Sequence, residues 1–349
     1  MPASFDEDIS TVSALEDAGE NPIVSIIVVS YNTREMTLDC IRSVLDQTTC
    51  AYELAVYDNA SSDGSAKAIT TEFPGIQFIA SDINHGFARA NNIVAENLKG
   101  QYILLLNPDT IVLNGAIDTL VGFAKSNPNA RIWGGRTLFS DRSLNPTNCW
   151  GDMTLGSLAC QARGLTKVFR NSVFFNPEAY GGWQRDKVRK VDIVSGCFFL
   201  IEADLWRALD GFDLSFTMYG EEADLCLRAR GLGAQPLVTP DAEIIHYVGA
   251  SSKVRSAKLV MLLKAKVTLI RRHFPRWQQH LGIALLSFWP LSRLLASLAL
   301  SRLTRSDRWS DTHSAWADVW DQRRDWAKGY GPPLLSSQTA SVLKLRGRD

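Results

Sequence analysis

Asn107 and Asp109 have the clearest chemical potential in this chain, because they follow the apolar run Tyr102–Leu106. A continuous apolar run of that length is typical of a buried parallel strand, so Asp109 is predicted at the strand's carboxyl end. Ligands bind at that edge of an open α/β sheet. A carboxylate there could hold Mg²⁺ or Mn²⁺, which take oxygen ligands and often bridge to phosphates. The sequence Asn-Pro-Asp also favours a turn, so the motif by itself is compatible with either a metal ligand or a turn.

Asp58 closes another apolar run and begins a polar stretch, residues 58–65. Such a stretch can form an Asx turn that leads into a helix, and Asp63 and Gly64 suit that turn. A carboxylate at a strand end could also accept the imide N–H of a uracil or thymine ring. Tyr31, which follows the first apolar run, could then stack on the base. For Asp58 alone, neither interpretation excludes the other.

The segment 84–92 begins with Asn84, contains Gly86 and ends with Asn92. It either starts a helix, with Gly86 permitting a tight backbone, or brings a helix amino terminus close to a nucleotide. The second interpretation rests on the preference of helix amino termini for anions. Seen alone, the segment supports both interpretations equally.

Three acids stand within four residues at Glu221, Glu222 and Asp224. Acids in the first turn of a helix complement its dipole by about 0.3–1 kcal/mol each, which accounts comfortably for one of them. Three together repel one another, and crowding of this kind raises the pKa of a carboxyl group. A raised pKa suits a general base near neutral pH. Further along, His246 ends an apolar stretch; a lone histidine there is usually structural, but it could add a metal ligand.

Alternating strands and helices position these residues. From residue 23 to residue 106 the pattern predicts four strands separated by three helices, which implies a parallel sheet with helices on both faces. Right-handed crossovers place the carboxyl ends of such strands on one edge, so Tyr31, Asp58 and Asp109 are predicted to converge, with His246 close to the same edge. Beyond this series the sequence predicts a strand over 191–201 with a bulge or close approach at Gly196, a helix over 221–230 and two short strands near 237 and 244.

The composition narrows the possible partners and the compartment. The chain has 349 residues, is 46% apolar and carries no formal net charge, which gives no reason to expect nucleic acid as a partner. Its six cysteines show no CxxC pairing, and the first 20 residues lack a basic start and an apolar core. We therefore expect no signal peptide, reduced thiols, no zinc site and a cytoplasmic location.

Charge is unevenly spread along the chain. Residues 1–21 carry six acids and no Lys or Arg, which predicts an acidic disordered leader. Residues 251–349 carry 18 Lys and Arg against 6 Asp and Glu. Such a basic segment suits an anionic membrane surface, although a solvated face is the more common explanation.

Residues 255–272 and 281–300 predict two long apolar-basic helices. About 20 apolar residues suffice to span a bilayer, but Pro290 and Arg293 interrupt the second stretch. An Arg at the bilayer centre costs about 2.5–3.5 kcal/mol on insertion scales. The sequence therefore favours helices that lie on, or dip into, the cytoplasmic leaflet. A helical cap on the catalytic domain or a dimer contact is the alternative.

Taken in order, the motifs resemble the inverting family-2 glycosyltransferases, especially the rhamnosyltransferase-like branch that builds bacterial surface polysaccharides. The resemblance extends over about 23–252, and its ordered series of segments is far more specific than any one of them. The matching segments are 25–32, 58–64, 84–88, 106–110, 211–213, 218–228 and 246–251. The resemblance implies an α/β fold of the GT-A (Rossmann-like) type, with a mixed, mostly parallel sheet flanked by helices and a C-terminal helical extension.

The resemblance also implies roles for individual residues. Asp58 would hold the base, Asn107 and Asp109 would form the DxD-type element, and Glu222 would be the catalytic base. The family usually has Asp at the position of Glu222, and one extra methylene moves a carboxylate by about an ångström, which matters for alignment. The implied sets are Tyr31, Asn32, Asp58, Asn84, Gly86, Asn92 and Asn107 for the nucleotide sugar, Asp109 and His246 for Mg²⁺ or Mn²⁺, and Glu221, Glu222 and Asp224 for catalysis.

The implied reaction is metal-dependent, inverting transfer of a sugar from a UDP- or dTDP-linked donor to a saccharide or polyprenyl-linked acceptor, at the cytoplasmic face of the inner membrane. A sugar nucleotidyltransferase is one alternative, but it should show a Gly-rich basic loop after the first strand, and residues 30–35 are not one. A non-catalytic relative that acts as an assembly subunit is another, because of Glu222. The expected domains are a leader 1–21, a GT-A domain 22–252, a membrane-associating segment 253–305 and a tail 306–349.

Overall fold

The computed structural model describes residues 9–12, 21–247 and 255–334. The strands are β1 Ile9–Val12, β2 Val24–Ser30, β3 Tyr52–Asn59, β4 Gln77–Ser81, β5 Tyr102–Leu106, β6 Thr110–Val112, β7 Ile132–Leu138, β8 Leu144–Asn145, β9 Cys149–Trp150, β10 Arg189–Lys190, β11 Ile193–Val194, β12 Phe198–Glu202 and β13 Leu237–His246. The helices are α1 Arg34–Gln47, α2 Ser65–Glu72, α3 Gly86–Ala95, α4 Ala116–Ser126, α5 Leu155–Arg163, α6 Leu165–Val168, α7 Ala203–Ala208, α8 Glu221–Gly231, α9 Arg255–His273, α10 Arg276–Thr304, α11 Asp307–Asp321 and α12 Arg323–Trp326.

The chain divides into two compact units, each made of several segments. The first unit takes its described residues from Met1–Cys149, Gln184–Phe212 and Arg228–Ser251. The second takes them from Trp150–Trp183, Asp213–Leu227 and Ser252–Asp349. The compact units therefore do not follow the continuous domain boundaries predicted from the sequence.

The first unit is built on one large sheet in the order β1-β4-β3-β2-β5-β12-β7-β13-β10. The strands β4, β3, β2 and β5 are parallel to one another, and β13 is parallel to β7. Between these groups, β12 is antiparallel to both β5 and β7. The predicted strand–helix series from residue 23 to residue 106 is confirmed, and with it the mixed, mostly parallel α/β fold.

The central strands form because most of their residues are apolar. Every residue of β2 and β5 is buried, as expected for parallel strands that are covered on both faces. The hydrophobic core joins these strands to α1, α2 and α4, with Ile26, Leu104, Ile41, Ile69 and Leu120 among its fully buried members. Full burial of each such side chain contributes about 1.5–3 kcal/mol, so the core fixes the strand ends that carry the polar residues.

Part of the predicted acidic leader is ordered. Ile9–Val12 form β1, which pairs antiparallel with β4 from Ile9 opposite Ser81 to Val12 opposite Phe78. The prediction of a leader without structure is corrected for these four residues, because strand β4 offers them an open backbone edge. The rest of the leader up to residue 20, and residues 248–251 of the motif that begins at His246, lie outside the described residues.

The second unit is helical. It contains α5, α6, α9, α10, α11 and α12, and α10 packs against α5, α9 and α11. The two helices predicted after residue 252 are confirmed as α9 and α10, and α10 continues through Pro290 without a break. The predicted tail contributes α11 and α12. All six cysteines are free.

Candidate active site

Polar side chains collect at the carboxyl edge of the parallel strands in the first unit. Ser30 of β2 lies opposite Asp58 of β3, and Asp58 lies opposite Ala80 of β4. On the other side of β2, Val28 lies opposite Leu106, the residue before Asn107. These registers align the carboxyl ends of β2, β3 and β5 at one edge of the sheet, as the right-handed crossovers predicted. The convergence of the side chains of Tyr31, Asp58 and Asp109 stays a prediction.

Asp58 is buried, and only one of its two carboxylate oxygens has a partner. Its exposed fraction is 2%, and Oδ1 accepts a hydrogen bond from the Ser61 N–H at 2.9 Å. Oδ2 is buried and meets no donor among the described residues. Burial raises the pKa of Asp58 above its ordinary value, and the Ser61 hydrogen bond opposes that rise. An open buried acceptor of this kind is costly unless a ligand N–H completes it.

The loops that follow β2 and β3 are tied together. The Asn32 N–H donates to Ser61 Oγ at 2.9 Å, and the Ser62 N–H donates to Asn32 Oδ1 at 2.8 Å. Asn32 and Ala60 both have left-handed backbone conformations, with φ of 51° and 66°. Such conformations persist where their surroundings hold them, often at ligand sites. Asn32 therefore shapes the rim of the site, and Tyr31 beside it is 44% exposed and open for stacking.

Asn84 and Gly86 belong to a second tied loop. Asn84 Oδ1 accepts hydrogen bonds from Asn59 Nδ2 at 3.0 Å and from the Gly86 N–H at 2.9 Å. Asn59 Oδ1 in turn accepts from the His85 N–H at 2.7 Å. Gly86 begins α3 with φ of 75°, which favours glycine. Asn59 was not among the predicted site residues, although its place directly after Asp58 was a signal in the sequence.

Asn92 has a structural role in place of the predicted sugar-nucleotide contact. Its Nδ2 donates to the Phe212 carbonyl, and its Oδ1 accepts from the Phe212 N–H, both at 2.9 Å. Gly211 has φ of 61°, and a Cβ there would lie 2.5 Å from Asn92 Oδ1. Asn92 therefore holds the turn at Gly211, which corrects the prediction, because both ends of its amide are occupied by backbone.

Asn107, Asp109 and His246 come together across β6 and β13, where His246 lies opposite Thr110. His246 Nε2 lies 3.3 Å from Asp109 Oδ1 and 3.4 Å from Asn107 Nδ2. The Tyr247 N–H donates to the Asp109 carbonyl at 3.0 Å. The side chains of Asp109 and His246 are only 14% and 11% exposed. Two residues 137 positions apart in sequence therefore form one nearly buried pair.

The donor set of this pair fits a divalent cation. Burial disfavours the charged imidazolium, but hydrogen bonds with Asp109 and the Cys197 thiol outweigh burial and raise the pKa of His246 to about 10. A metal binds the neutral imidazole, so binding would release a proton from His246. Among the described residues there is no group of three or more His, Cys, Asp and Glu side chains that could hold a metal ion. Two protein ligands suit Mg²⁺ or Mn²⁺, which keep waters and bind substrate phosphates.

Glu221 and Glu222 begin α8 in the second unit. Tyr219 and Gly220, directly before them, have φ of 65° and 91° and so set the entry to the helix. Glu221 is 7% exposed, and its Oε2 has no partner among the described residues. Burial and the neighbouring charge of Glu222 raise the pKa of Glu221 to about 8, and burial raises the pKa of Glu222. The two carboxyl groups interact, so the raised basicity belongs to the pair.

Asp224 is committed to α9, which corrects its predicted place among the catalytic acids. The residue is fully buried, and its Oδ1 lies 2.8 Å from His273 Nε2 and 3.7 Å from Arg272 Nη1. A buried carboxylate with two basic partners stabilises a fold, whereas a base needs an acceptor free for substrate. Asp224 thus anchors the first turn of α8.

The two groups of acids lie in different compact units. Asp58, Asp109 and His246 belong to the first, and Glu221 and Glu222 belong to the second. The expectation that all of them face one pocket stays a prediction.

Comparisons with known proteins agree with this arrangement. Residues 25–192 match the protein-family model described as Glycosyl transferase family 2. The chain is 28% identical over 240 residues to Rhamnosyltransferase WbbL of Escherichia coli (strain K12), a match that covers 64% of this chain and 83% of that protein. It is 22% identical over 253 residues to N-acetylglucosaminyl-diphospho-decaprenol L-rhamnosyltransferase of Mycobacterium tuberculosis (strain ATCC 25618 / H37Rv), covering 66% of this chain and 78% of that protein.

A solved structure supports the fold. Mannosyltransferase PcManGT from Pyrobaculum calidifontis, in complex with GDP-Man and Mn²⁺, superposes with a TM-score of 0.55 and covers 89% of each chain. The sequence identity is 15%, so this likeness shows the fold alone. The predicted GT-A fold is confirmed by it.

Proposed function

Because this chain is a rhamnosyltransferase-like glycosyltransferase of family 2, we propose that it transfers a sugar, with inversion, from a UDP- or dTDP-linked donor. The acceptor is a hydroxyl of a saccharide or of a lipid-linked sugar in surface polysaccharide synthesis. The observation that carries the proposal is Asp58, whose buried Oδ2 stands open at the sheet edge shared with Asn107. The M. tuberculosis relative, named for a diphospho-decaprenol acceptor, supports the choice of a lipid-linked acceptor.

Donor binding in this proposal begins at Asp58. Uracil and thymine both present an imide N–H, and the open Oδ2 of Asp58 accepts it. The exposed ring of Tyr31 stacks on the base. The tied loops around Asn32 and Asn84 hold the rim in place, so little conformational freedom is lost when the donor binds.

The donor's diphosphate lies beside Asp109 and His246 in this proposal. These two residues would hold Mg²⁺ or Mn²⁺, which when bound would supply positive charge beside the departing diphosphate. Asn107, whose Nδ2 lies 3.4 Å from His246 Nε2, helps to orient the pair. The chemistry of the donor set, one carboxylate and one imidazole, supports this assignment.

Glu222 acts as the base of the proposed transfer. It takes the proton of the acceptor hydroxyl, the hydroxyl oxygen bonds to the anomeric carbon, and the bond to the diphosphate breaks. The nucleoside diphosphate leaves with the bonding electrons, and the configuration inverts. The pKa values of Glu221 and Glu222 are both raised, so the basicity belongs to the pair, and Glu222 is the member to which we assign the proton transfer.

Helix α10 provides the proposed peripheral contact with the cytoplasmic face of the membrane. Trp277, Leu281, Phe288 and Leu295 are 74%, 50%, 48% and 55% exposed. At about 100° per residue they fall within about 40° of one another on the helix surface. We call these four residues the apolar stripe. The guanidinium of Arg293 lies instead against Gly164, between α5 and α6, so no charge interrupts the stripe.

A helix on the membrane surface suits α10 better than a spanning one. By length and composition α10 could cross a bilayer, and it is the one described helix that could. However, its other sides contact α5, α9 and α11. Exposed arginines at both ends of the helix, Arg276, Arg302 and Arg305, suit anionic headgroups. The proposal is therefore a helix with its stripe immersed among the lipids.

Two substitutions test the proposed function. Asp109→Ala should abolish transfer and also the metal-dependent part of donor binding. Glu222→Gln should abolish transfer and leave the donor Kd nearly unchanged, because the amide cannot take a proton. Transfer is measured with UDP- and dTDP-sugars and a polyprenyl diphosphate-linked sugar, and binding by calorimetry.

Matched controls are Asp39→Ala and Glu96→Gln, at exposed positions of α1 and at the end of α3. Both should transfer sugar at the parent rate. If Glu222→Gln also transfers at the parent rate, the base assignment is wrong. If Asp109→Ala retains metal-dependent donor binding, the metal assignment is wrong.

A further inference from the structure

Residues 327–334, here called the strap, pack against the loop 213–220 that leads into α8. Both segments belong to the second unit. The Tyr330 hydroxyl donates to the Met218 carbonyl at 2.5 Å, and the Leu334 N–H donates to Asp213 Oδ1 at 3.0 Å. The rings of Tyr330 and Phe216 meet edge to face, with centroids 5.4 Å apart. The strap therefore contacts the loop at its start, in its middle and close to its end.

The strap is itself fixed to α9. The Tyr330 N–H donates to Thr268 Oγ1 at 2.7 Å, and Arg272 donates to the Gly331 carbonyl at 3.2 Å. Gly329 has φ of 69°, and a Cβ there would lie 2.8 Å from Thr268 Oγ1. The backbone thus approaches α9 closely at a position that favours glycine. A segment held in this way can fix the position of the loop 213–220 relative to α9.

The two ends of the loop have anchors of their own, and the middle depends on Tyr330. Arg272 donates to Asp213 Oδ2 at 2.7 Å and to Ser215 Oγ at 2.6 Å. At the other end, a Cβ on Gly220 would lie 3.0 Å from Ala265 Cβ, so α9 restricts that residue. Between these anchors, the Tyr330 hydroxyl supports the Met218 carbonyl, three residues before Glu221.

We propose that the strap positions the acid pair Glu221–Glu222, and that Tyr330 is the positioning residue through which it acts. The carbonyl of Met218 leads directly into the left-handed residues Tyr219 and Gly220, where a small backbone rotation redirects the first turn of α8. The inference rests on the proposed function, since it concerns the placement of the base. Misplacement of a catalytic group by about 1 Å can cost about 100-fold in rate.

Electrostatics place the phenol near the pair. The pKa of Tyr330 is raised by burial and, to a smaller extent, by the negative charge of Glu221. The phenol and the carboxyl group therefore share one environment. The position of the hydroxyl thus bears on the acids through space as well as through the loop backbone.

Tyr330→Phe tests the inference, with Tyr180→Phe as the matched control. Tyr180 makes an equivalent bond in the same unit, from its hydroxyl to the Trp150 carbonyl at 3.0 Å, but it does not touch the loop 213–220 through that bond. In the full chain, Tyr330→Phe should lower kcat about 10-fold and leave the donor KM within about twofold. Tyr180→Phe should leave both at the parent values.

Amide hydrogen exchange gives a second measurement that does not need turnover. The Asp224 N–H donates to the Gly220 carbonyl at 2.8 Å in the first turn of α8. Exchange of the 221–226 amides should be faster in Tyr330→Phe than in Tyr180→Phe. Leu334→Pro removes the N–H that donates to Asp213, and it should also make exchange of the 221–226 amides faster. This variant replaces Tyr330→Phe in the test if Tyr330→Phe folds poorly.

The outcomes separate the inference from the proposed function. Equal kcat and equal exchange in the two tyrosine variants would overturn the positioning role. A parent chain that transfers no sugar from any donor would overturn the proposed function, while the exchange comparison would still decide whether the strap orders α8.

Discussion

At the scale of single residues, Asp58 combines burial with an unfinished hydrogen-bond set. One oxygen bonds to the Ser61 N–H and the other has no partner among the described residues. The position of Asp58 near the end of β3 explains both features. The strand buries the side chain, and the turn after the strand supplies one hydrogen-bond donor. A ligand N–H supplies the second in the proposed complex.

Asp58→Asn tests that assignment. The amide keeps the size of the side chain but loses the negative charge. A hydrogen bond to a charged group contributes about 1.5–3 kcal/mol, so the donor Kd should rise about 10- to 100-fold for both UDP- and dTDP-sugars. Calorimetry measures the change, and Asp39→Asn on exposed α1 is the control. An unchanged Kd would remove Asp58 from the base-binding site.

Glu221 makes a prediction about stability and pH. Its pKa is about 8 in the folded chain, against 4.5 ordinarily, because of burial and the charge of Glu222. The folded state therefore favours the protonated form of Glu221, so the contribution of this group to stability is complete below about pH 4.5 and is lost as pH rises from there through about 8. Glu221→Gln should lose less stability than the parent between pH 5 and pH 9.

Urea unfolding at pH 5, 7 and 9 measures this difference in the free energy of unfolding. Glu35→Gln, at an exposed site of α1, is the control. A difference between parent and Glu221→Gln that stays constant across this range would show that Glu221 does not titrate there.

Residue type alone could not separate ligands from structural partners. The positions of Asp58 and His246 near strand ends, and of Asp109 in the turn between β5 and β6, were predictable from the apolar runs beside them. Asn92 and Asp224 are also polar, but their partners, Phe212 and His273, come from distant parts of the chain. Local sequence carries no signal for such contacts.

At the scale of elements, the alternation from β2 to β5 was predictable because parallel strands covered on both faces are continuous apolar runs. The strands in the second half of the sheet were not predictable in this way. The strand predicted over 191–201 is two strands, β11 and β12, although the close approach predicted at Gly196 is confirmed, because a Cβ there would lie 3.3 Å from the Phe87 ring. The two short strands predicted near 237 and 244 are one strand, β13, whose pairing with β7 shifts register between Val238 and Glu243.

Helix α10 carries a prediction at this scale. Burial of each large apolar side chain contributes about 1.5–3 kcal/mol. Leu281→Glu combined with Phe288→Glu should therefore weaken binding to anionic phosphatidylglycerol vesicles more than about 10-fold. Vesicle co-sedimentation of the full chain measures the loss.

The control for that variant changes charge equally but away from the apolar stripe. Ser310→Glu combined with Ser314→Glu adds two acids at exposed positions of α11. It should weaken binding far less. Equal losses in both double variants would mean that net charge, and not the stripe, attracts the chain to the vesicles.

At the scale of the whole molecule, the net charge is zero, but basic and acidic residues are unevenly distributed along the chain. The chain carries 37 basic and 37 acidic residues, yet residues 251–349 have 18 of the former and 6 of the latter. This imbalance was predictable from sequence. Which segments belong to each compact unit was not predictable from the sequence. Residues 150–183 and 213–227 join the C-terminal helices through contacts between distant segments.

Ligand binding should show at this scale as a shift in the melting temperature. A ligand at 100 times its Kd stabilises the folded state by about 2.7 kcal/mol, which corresponds to about 5 °C for a chain of this size. A nucleotide-sugar donor with Mn²⁺ should raise Tm by about that amount, and EDTA should remove most of the rise.

Asp109→Ala should lose the Mn²⁺-dependent part of the shift, whereas Asp39→Ala should retain it. Mn²⁺ without donor is measured alongside. A donor-induced shift that is the same with EDTA and with Mn²⁺ would exclude a bridging role for the metal.

The place of β12 has a consequence for synthesis on the ribosome. Phe198 pairs with Leu106, 92 residues earlier in the chain. The outer backbone edge of β5 therefore stays unpaired until β12 has emerged. At about 5–20 residues per second, that interval is on the order of 5–20 s. During this interval the nascent chain exposes an apolar strand with an unpaired edge, which can associate with other chains. A chaperone that shields this edge would therefore increase the yield of native protein.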